Sequence, residues 1–346
     1  MKLILHIGTP KTASTLLQNS LEANPDWLAQ HGAAYGRACS PYPNHLTLCF
    51  AVSPEISGLA LSLGIDSEAA KIELRRQISA EIAAHLAELP AQVDRYILSS
   101  ENLTGNLFDA EGIARLRDML APLFDEIEIV VYVRRQDDAI LSMYAEHMRQ
   151  GFSNAPFDAF VDQCCGAGSP VLYLYYRREL LKWIEVWGRG ALTVRLFEGP
   201  ALTGGDILSD FLSVALGRSD LDLSNFVRSN VDNRARSAPV LETLRRLQPA
   251  IPFLAQGRPN ELRARLTPYV YELPTEPRPV MARDQARAIM HHFRIANGWL
   301  HETFFPDLPA PLFPERPDRP ERGNLGVLSD DDYAEIVSRL LLQALR

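Results

Sequence analysis

The sequence predicts an α/β protein with a central, mainly parallel sheet flanked by helices and a helical C-terminal elaboration. Three observations predict it. Short strand-like runs alternate with helical segments through the first 200 residues. EIEIVVYVRR (126–135) is the strongest of these strand signals, and their alternation with helices is the pattern of a parallel sheet covered on both faces. After residue 200 the strand signals fade and helical spacing takes over.

Residues 2–7, KLILHI, read as a short buried strand. GTPKTAST then combines turn formers with hydroxyls, and Leu16, Leu17, Leu21 and Leu28 recur at helical spacing. Pro25 interrupts that helix or starts a second one. Residues 31–58 read as irregular, with prolines at 41, 43 and 54. A long amphipathic helix is expected over 66–89, a second strand over 95–100 and a helix near 110–123. EIEIVVYVRR (126–135) is the strongest strand signal. Asp137 and Asp138 open the next helix, where the dipole favours acids. ALTVRLFE (191–198) reads as a fourth strand. Helices are expected near 205–216, 237–248, 259–266 and 281–305. Residues 306–322 hold six prolines and read as an extended surface segment. Ser329, followed by three aspartates, reads as the cap of a last amphipathic helix, YAEIVSRLLLQALR. One domain over 1–346 is expected: an α/β core over 1–200, helices over 201–305, and the Pro-rich segment with the last helix over 306–346.

Composition narrows the function classes. At 47% hydrophobic and 23% charged, the 346 residues suit an ordinary soluble globular protein. The net charge of −8 argues against nucleic-acid or anionic-membrane binding, which needs a basic footprint. The first apolar run, Leu3 to Ile7, is shorter than the roughly 7–15 residues of a secretory signal or the about 20 of a membrane helix. No transmembrane segment and a cytoplasmic location are expected. Cys39, Cys49, Cys164 and Cys165 form no CxxC pair and read as reduced thiols, although adjacent Cys164 and Cys165 could form a strained disulfide. No His/Asp/Glu cluster calls for a metal. Four of the 35 cationic residues are lysines: Lys2, Lys11, Lys71 and Lys182.

Lys11 lies where a strand, a short loop and a helix start follow each other. The first N–H groups of a helix have no intrahelical partners and its dipole is positive there, which suits an anion. Lys11 adds a compact charge, and Thr12, Ser14 and Thr15 add hydroxyl donors. No acid precedes Glu22. The GxxxxGK[ST] spacing of a Walker A loop is not met. The alternative is a polar turn with a capping hydroxyl. The strand at 126–135 ends in Arg134 and Arg135, with Ser142 eight residues after Arg134. Two helical turns rise about 11 Å, so Arg134 and Ser142 flank one group only if Arg134 extends along the helix. The alternative is pairing of both arginines with Asp137, Asp138 or surface acids.

Together the two segments resemble the sulfotransferase superfamily, with its P-loop NTPase-like fold and its donor 3′-phosphoadenosine 5′-phosphosulfate (PAPS). HIGTPKTASTLLQNSL resembles the 5′-phosphosulfate loop, usually a PK[TS]GTT-like string after the first strand. VVYVRRQDDAILSMY resembles the 3′-phosphate motif, and the order and separation agree. The resemblance covers residues 1–200; beyond them GWLHETFF is similar to the C-terminal part of bacterial, carbohydrate-type members. It departs at Ala13, where the loop often has Gly; the change is small if the backbone there stays helical. The resemblance implies that Lys11, Thr12, Ala13, Ser14 and Thr15 hold the 5′-phosphosulfate and that Arg134 and Ser142 hold the 3′-phosphate. Arg316, Arg319 and Arg322 are candidates for a loop that closes over the nucleotide.

Sulfonyl transfer to a hydroxyl needs donors for the charge that develops and a base for the acceptor proton. Lys11 suits the first need. For the base, His45 in SPYPNHLTL ranks first, since its pKa lies near operating pH, and Glu101 at the end of the second strand is the rival. His6 reads as a core residue, and His291 and His292 as helix residues. The expectation is a transferase acting on a small-molecule or glycan hydroxyl, of carbohydrate or glycolipid kind, with no metal. The alternatives are a P-loop-type nucleotide kinase or NTPase and a nonenzymatic nucleotide-binding protein of the same fold.

Overall fold

A computed structural model describes all residues except 106–108, 167, 170, 231–235, 256–257, 271 and 345–346. In chain order the elements begin with β1 (Lys2–His6), α1 (Ser14–Glu22), α2 (Pro25–Gln30), β2 (Ala33–Tyr35), α3 (Leu46–Val52), α4 (Gly58–Ser62) and α5 (Glu68–Glu88). There follow β3 (Arg95–Ser99), α6 (Asn102–Gly105), α7 (Ala110–Leu120), β4 (Glu126–Val133), α8 (Gln136–Gln150), α9 (Phe157–Cys165), α10 (Tyr176–Trp187) and β5 (Leu192–Leu196). The remainder is α11 (Ile207–Leu216), α12 (Ala238–Leu247), β6 (Leu254–Ala255), β7 (Arg258–Pro259), α13 (Glu261–Val270), α14 (Arg283–His292), α15 (Arg294–Phe304) and α16 (Asp330–Ala344). The chain forms two compact units. One is Met1–Arg134 with Leu172–Val231, and the other is Arg135–Val171 with Asp232–Arg346.

The first unit holds a five-stranded parallel sheet in the order β2-β3-β1-β4-β5. Alternation of side chains along β1, β3 and β4 splits its core in two. Ile4, Ile97, Val130 and Tyr132 face α1, α2 and α11, against Leu17, Leu21, Leu28, Phe211 and Leu212. Leu3, Leu5, Leu98, Ile129 and Val131 on the other face are fully buried too. Apolar residues on both faces are what a parallel sheet covered by helices on both sides requires. Pro25 opens α2 rather than kinking one long helix. The 31–58 segment departs from expectation. It contains edge strand β2 and the wholly buried helix α3. Lysine does structural work here. Lys71 is 3% exposed and donates to the carbonyls of Ser53 and Pro54 at 2.8 and 3.2 Å. Lys2 pairs with Glu126 and Glu128, and Lys182 pairs with Glu179.

Among the described residues, the regular elements of the second unit are helices apart from the antiparallel pair β6 and β7. α8 buries Ile140, Tyr144 and Met148 and packs beside α9, α12, α13 and α14. Buried Arg263 closes its C-terminal end, donating to the carbonyls of Met148 and Arg149 at 3.1 and 2.8 Å. Gly151 follows at φ 81, and a Cβ there would lie 2.1 Å from the Arg263 Cζ. Ile336 and Leu340 of α16 pack with Val240, Leu244, Val270 and Leu273. Ser329 caps α16, its hydroxyl accepting from the Asp332 N–H at 3.1 Å; residues 345 and 346, expected in the same helix, lie outside the described residues. The expected 281–305 helix breaks at Phe293 into α14 and α15.

Candidate functional site

The strand order places the carboxyl ends of β3, β1 and β4 side by side, the position where open parallel sheets bind ligands. Each end carries residues singled out above: the Lys11 loop after β1, Glu101 after β3, and Arg134 after β4.

The loop continues β1 along β4 before it turns. The Ile7 N–H donates to the Val130 carbonyl at 3.0 Å, and the Tyr132 N–H donates to the Gly8 carbonyl at 3.2 Å. Gly8 has φ 84, and a Cβ there would sit 2.7 Å from the Glu101 Cα. Only glycine lets the loop run this close. Lys11 and Ala13 then both adopt left-handed backbone, at φ 69 and φ 62. The backbone at Ala13 is therefore not right-handed helical, and a left-handed position is one that favours Gly. The Thr12 hydroxyl donates to the Thr9 carbonyl at 2.6 Å and is fully buried. It ties the turn together instead of presenting a donor.

α1 starts with no side-chain cap and no acid in its first turn. Its leading N–H groups therefore keep their affinity for an anion. Ser14 is 5% exposed, and its Oγ meets no partner among the described residues. Ser100 Oγ and His6 Nε2, at the ends of the neighbouring strands, are buried and unpartnered in the same way. Buried polar atoms are nearly always paired, so the Ser14 hydroxyl at this helix start is suited to a ligand or water partner. Thr15 is exposed.

Glu101 is held from two sides. Gly8 packs against its Cα. Gln18 of α1 donates from Nε2 to Glu101 Oε2 at 2.7 Å and to Ser99 Oγ at 3.1 Å. Ser99 pairs in register with His6, and their side chains meet at 2.8 Å. Burial depresses the His6 pKa to about 3, so the imidazole is neutral. Sequence reasoning passed over Gln18. The available signal was a glutamine between Leu17 and Leu21 on the buried face of α1.

His45 is elsewhere engaged. It is 3% exposed, its Nε2 lies 3.0 Å from the Gly36 carbonyl, and its Nδ1 accepts from the Ser99 N–H at 2.9 Å. Burial lowers its pKa to about 4. Nδ1 thus ties His45 to β3 and Nε2 ties it to Gly36 of its own segment, so both nitrogens are engaged, which counts against His45 as the base. The same segment borders a recess of about 340 Å³ lined by Cys39, Thr47, Leu63, Ile65 and Leu74.

Arg134 reaches back to the loop. Its Nη1 donates to the Lys11 carbonyl at 2.8 Å, and its guanidinium lies 5.5 Å from the Phe197 ring centroid. The Tyr176 hydroxyl clamps the strand end, donating to the Arg134 carbonyl and accepting from the Arg134 N–H. Arg135 behaves differently. It pairs with buried Asp137 at 2.7 Å within the second unit. Arg319 joins it on Asp137, and Arg316 and Arg319 both pair with Asp138. Two arginines considered for nucleotide closure are therefore committed to acids of α8. Ser142 lies on α8 in the second unit and is half-buried.

All four cysteines are free. Among the described residues no helix is long and apolar enough to cross a membrane, and no group of three or more metal-binding side chains gathers.

No family model matches the chain, and no curated protein does. Solved structures similar in fold include two sulfotransferases. One is a sulfotransferase from Alicyclobacillus acidocaldarius, at 16% identity and TM-score 0.41, over 67% of this chain and 87% of that one. The other is the sulfotransferase domain of the Synechococcus PCC 7002 olefin synthase, at 15% identity and TM-score 0.35, over 79% of this chain and 94% of that one.

Proposed function

We propose that this chain is a PAPS-dependent sulfotransferase acting on a hydroxyl, with a carbohydrate or glycolipid as the acceptor class. The observation that carries the reading is the convergence at adjacent strand ends of a cationic loop, an uncapped helix start and a carboxylate, with Arg134 bonded to that loop. The residues fit the donor's 5′ end. Lys11, the leading N–H groups of α1 and the unpartnered Ser14 hydroxyl can hold an anion. Arg134 and Ser142 are assigned to the 3′-phosphate by resemblance of their motif. A cytoplasmic location goes with this reading.

The donor supplies a sulfonyl group on a phosphate leaving group. Glu101 takes the acceptor proton as the acceptor oxygen bonds to sulfur. Lys11 balances the negative charge that stays on the nucleotide phosphate when the old S–O bond breaks with its electron pair. Glu101 replaces His45 as the preferred base because its Cα and Cβ pack against Gly8 of the loop and its carboxylate bonds Gln18 of α1, whereas both nitrogens of His45 are engaged.

Thermal-shift titration tests the reading. Stabilisation by 3′-phosphoadenosine 5′-phosphate (PAP) and little by ATP with Mg²⁺ is expected, and Arg134→Ala should abolish it. A preference for ATP refutes the proposal.

A further inference from the structure

We infer that Gln18 is a positioning residue that aims the Glu101 carboxylate at the acceptor; this rests on the sulfotransferase reading above. Gln18 is 2% exposed on a face of α1 otherwise packed into the core. A buried primary amide carries two donor hydrogens that need partners. Here one reaches Glu101 Oε2 at 2.7 Å and the other reaches Ser99 Oγ at 3.1 Å. Ser99 Oγ in turn meets His6 Nδ1 at 2.8 Å. The chain His6–Ser99–Gln18–Glu101 thus runs from the sheet interior to the strand end, and each member fixes the next.

The consequence is directional. A glutamate side chain rotates about three bonds, and a half-buried one at a strand end has room to turn. The Gln18 bond holds Oε2, and the Gly8 backbone packs on the Cα, so the other oxygen, Oε1, keeps one bearing. Gln18 also sits one turn after Ser14, on the helix whose start belongs to the anion site. One rigid element therefore fixes both the donor end and the base. That matters because a misplacement of about 1 Å lowers rates by roughly 100-fold.

The test uses the full chain, PAP for binding, and release of labelled sulfate from PAPS with water as acceptor. Gln18→Met removes the amide at similar volume. The expected result is a kcat lowered roughly 10- to 100-fold, with KM for PAPS and the PAP-induced Tm rise unchanged. Glu101→Gln should fall at least as far. The exchange variant Gln18→Glu/Glu101→Gln restores an amide–carboxylate bond but puts the carboxylate on the helix. It should regain the Tm of the unmutated chain and not its rate. A wild-type kcat in Gln18→Met overturns the inference. So does loss of PAP binding in that variant, which would make Gln18 a nucleotide-site or packing residue, or full activity in the exchange variant. If the unmutated chain neither binds PAP nor releases sulfate, the sulfotransferase reading itself fails, and the role of Gln18 with it.

Discussion

Ala13→Gly should stabilise the first unit. Ala13 sits at φ 62, ψ 27 immediately before α1. A Cβ in left-handed backbone costs about 1–2 kcal/mol. Glycine removes that strain but adds freedom to the unfolded chain, which returns about 0.4–1 kcal/mol. No cap bond is lost, because the Ala13 side chain makes none. The net expectation is a gain of about 1 kcal/mol. Ala13→Val is the counterpart: a β-branched residue tolerates positive φ poorly and should destabilise by more than about 1 kcal/mol. Urea unfolding at 25 °C reads both, followed by tryptophan fluorescence in a Trp299→Phe background. Trp27, Trp183 and Trp187 then remain, all in the first unit. A neutral or destabilising Ala13→Gly, with Ala13→Val tolerated, would show that the loop is right-handed at this residue and refute the reasoning.

Stability should fall between pH 7 and pH 5. Unfolded histidine takes up a proton below about pH 6.5, whereas folded His45 does so only near 4 and His6 near 3. In that window the unfolded state binds more protons, so acidification favours unfolding, by about 2 kcal/mol per histidine at pH 5. His45→Gln should remove roughly half of this slope in urea titrations. Lys71→Met leaves the Ser53 and Pro54 carbonyls without their donor and should lower stability by about 1–3 kcal/mol, read from the urea midpoint. Gly151→Ala combines positive φ with overlap on Arg263 and should destabilise the second unit by more than about 2 kcal/mol, read from Trp299 fluorescence.

Much of the sheet was legible because its strands are apolar on both faces and bounded by turn residues. The missed elements lack such marks. β2 has only three residues, two of them alanine, and acts as a strand because β3 offers an edge. α3 is buried all round, so it shows no amphipathic period among the prolines of its flanks. At the site, Lys11, Glu101 and Arg134 were legible because each follows a recognisable strand. The commitment of His45 was not. Its nitrogens bond to Gly36 and to Ser99, 54 residues away, and nothing local announces that pairing. The left-handed turn at Ala13 was hidden for the opposite reason. It is a local property, but the tertiary loop imposes it against the residue's own preference.

The second unit's connectivity has a consequence for synthesis. α8 and α9 leave the ribosome directly after β4, yet the partners of α8 in α12, α13 and α14 are encoded only beyond residue 237. Until those helices emerge, Ile140, Tyr144 and Met148 have no permanent cover from them. The nascent chain therefore carries an apolar stripe through the translation of α10, β5 and α11, which is the exposure that recruits chaperones. A chain terminated near residue 230 keeps that stripe open for good, and it should aggregate even though every strand of the sheet is present.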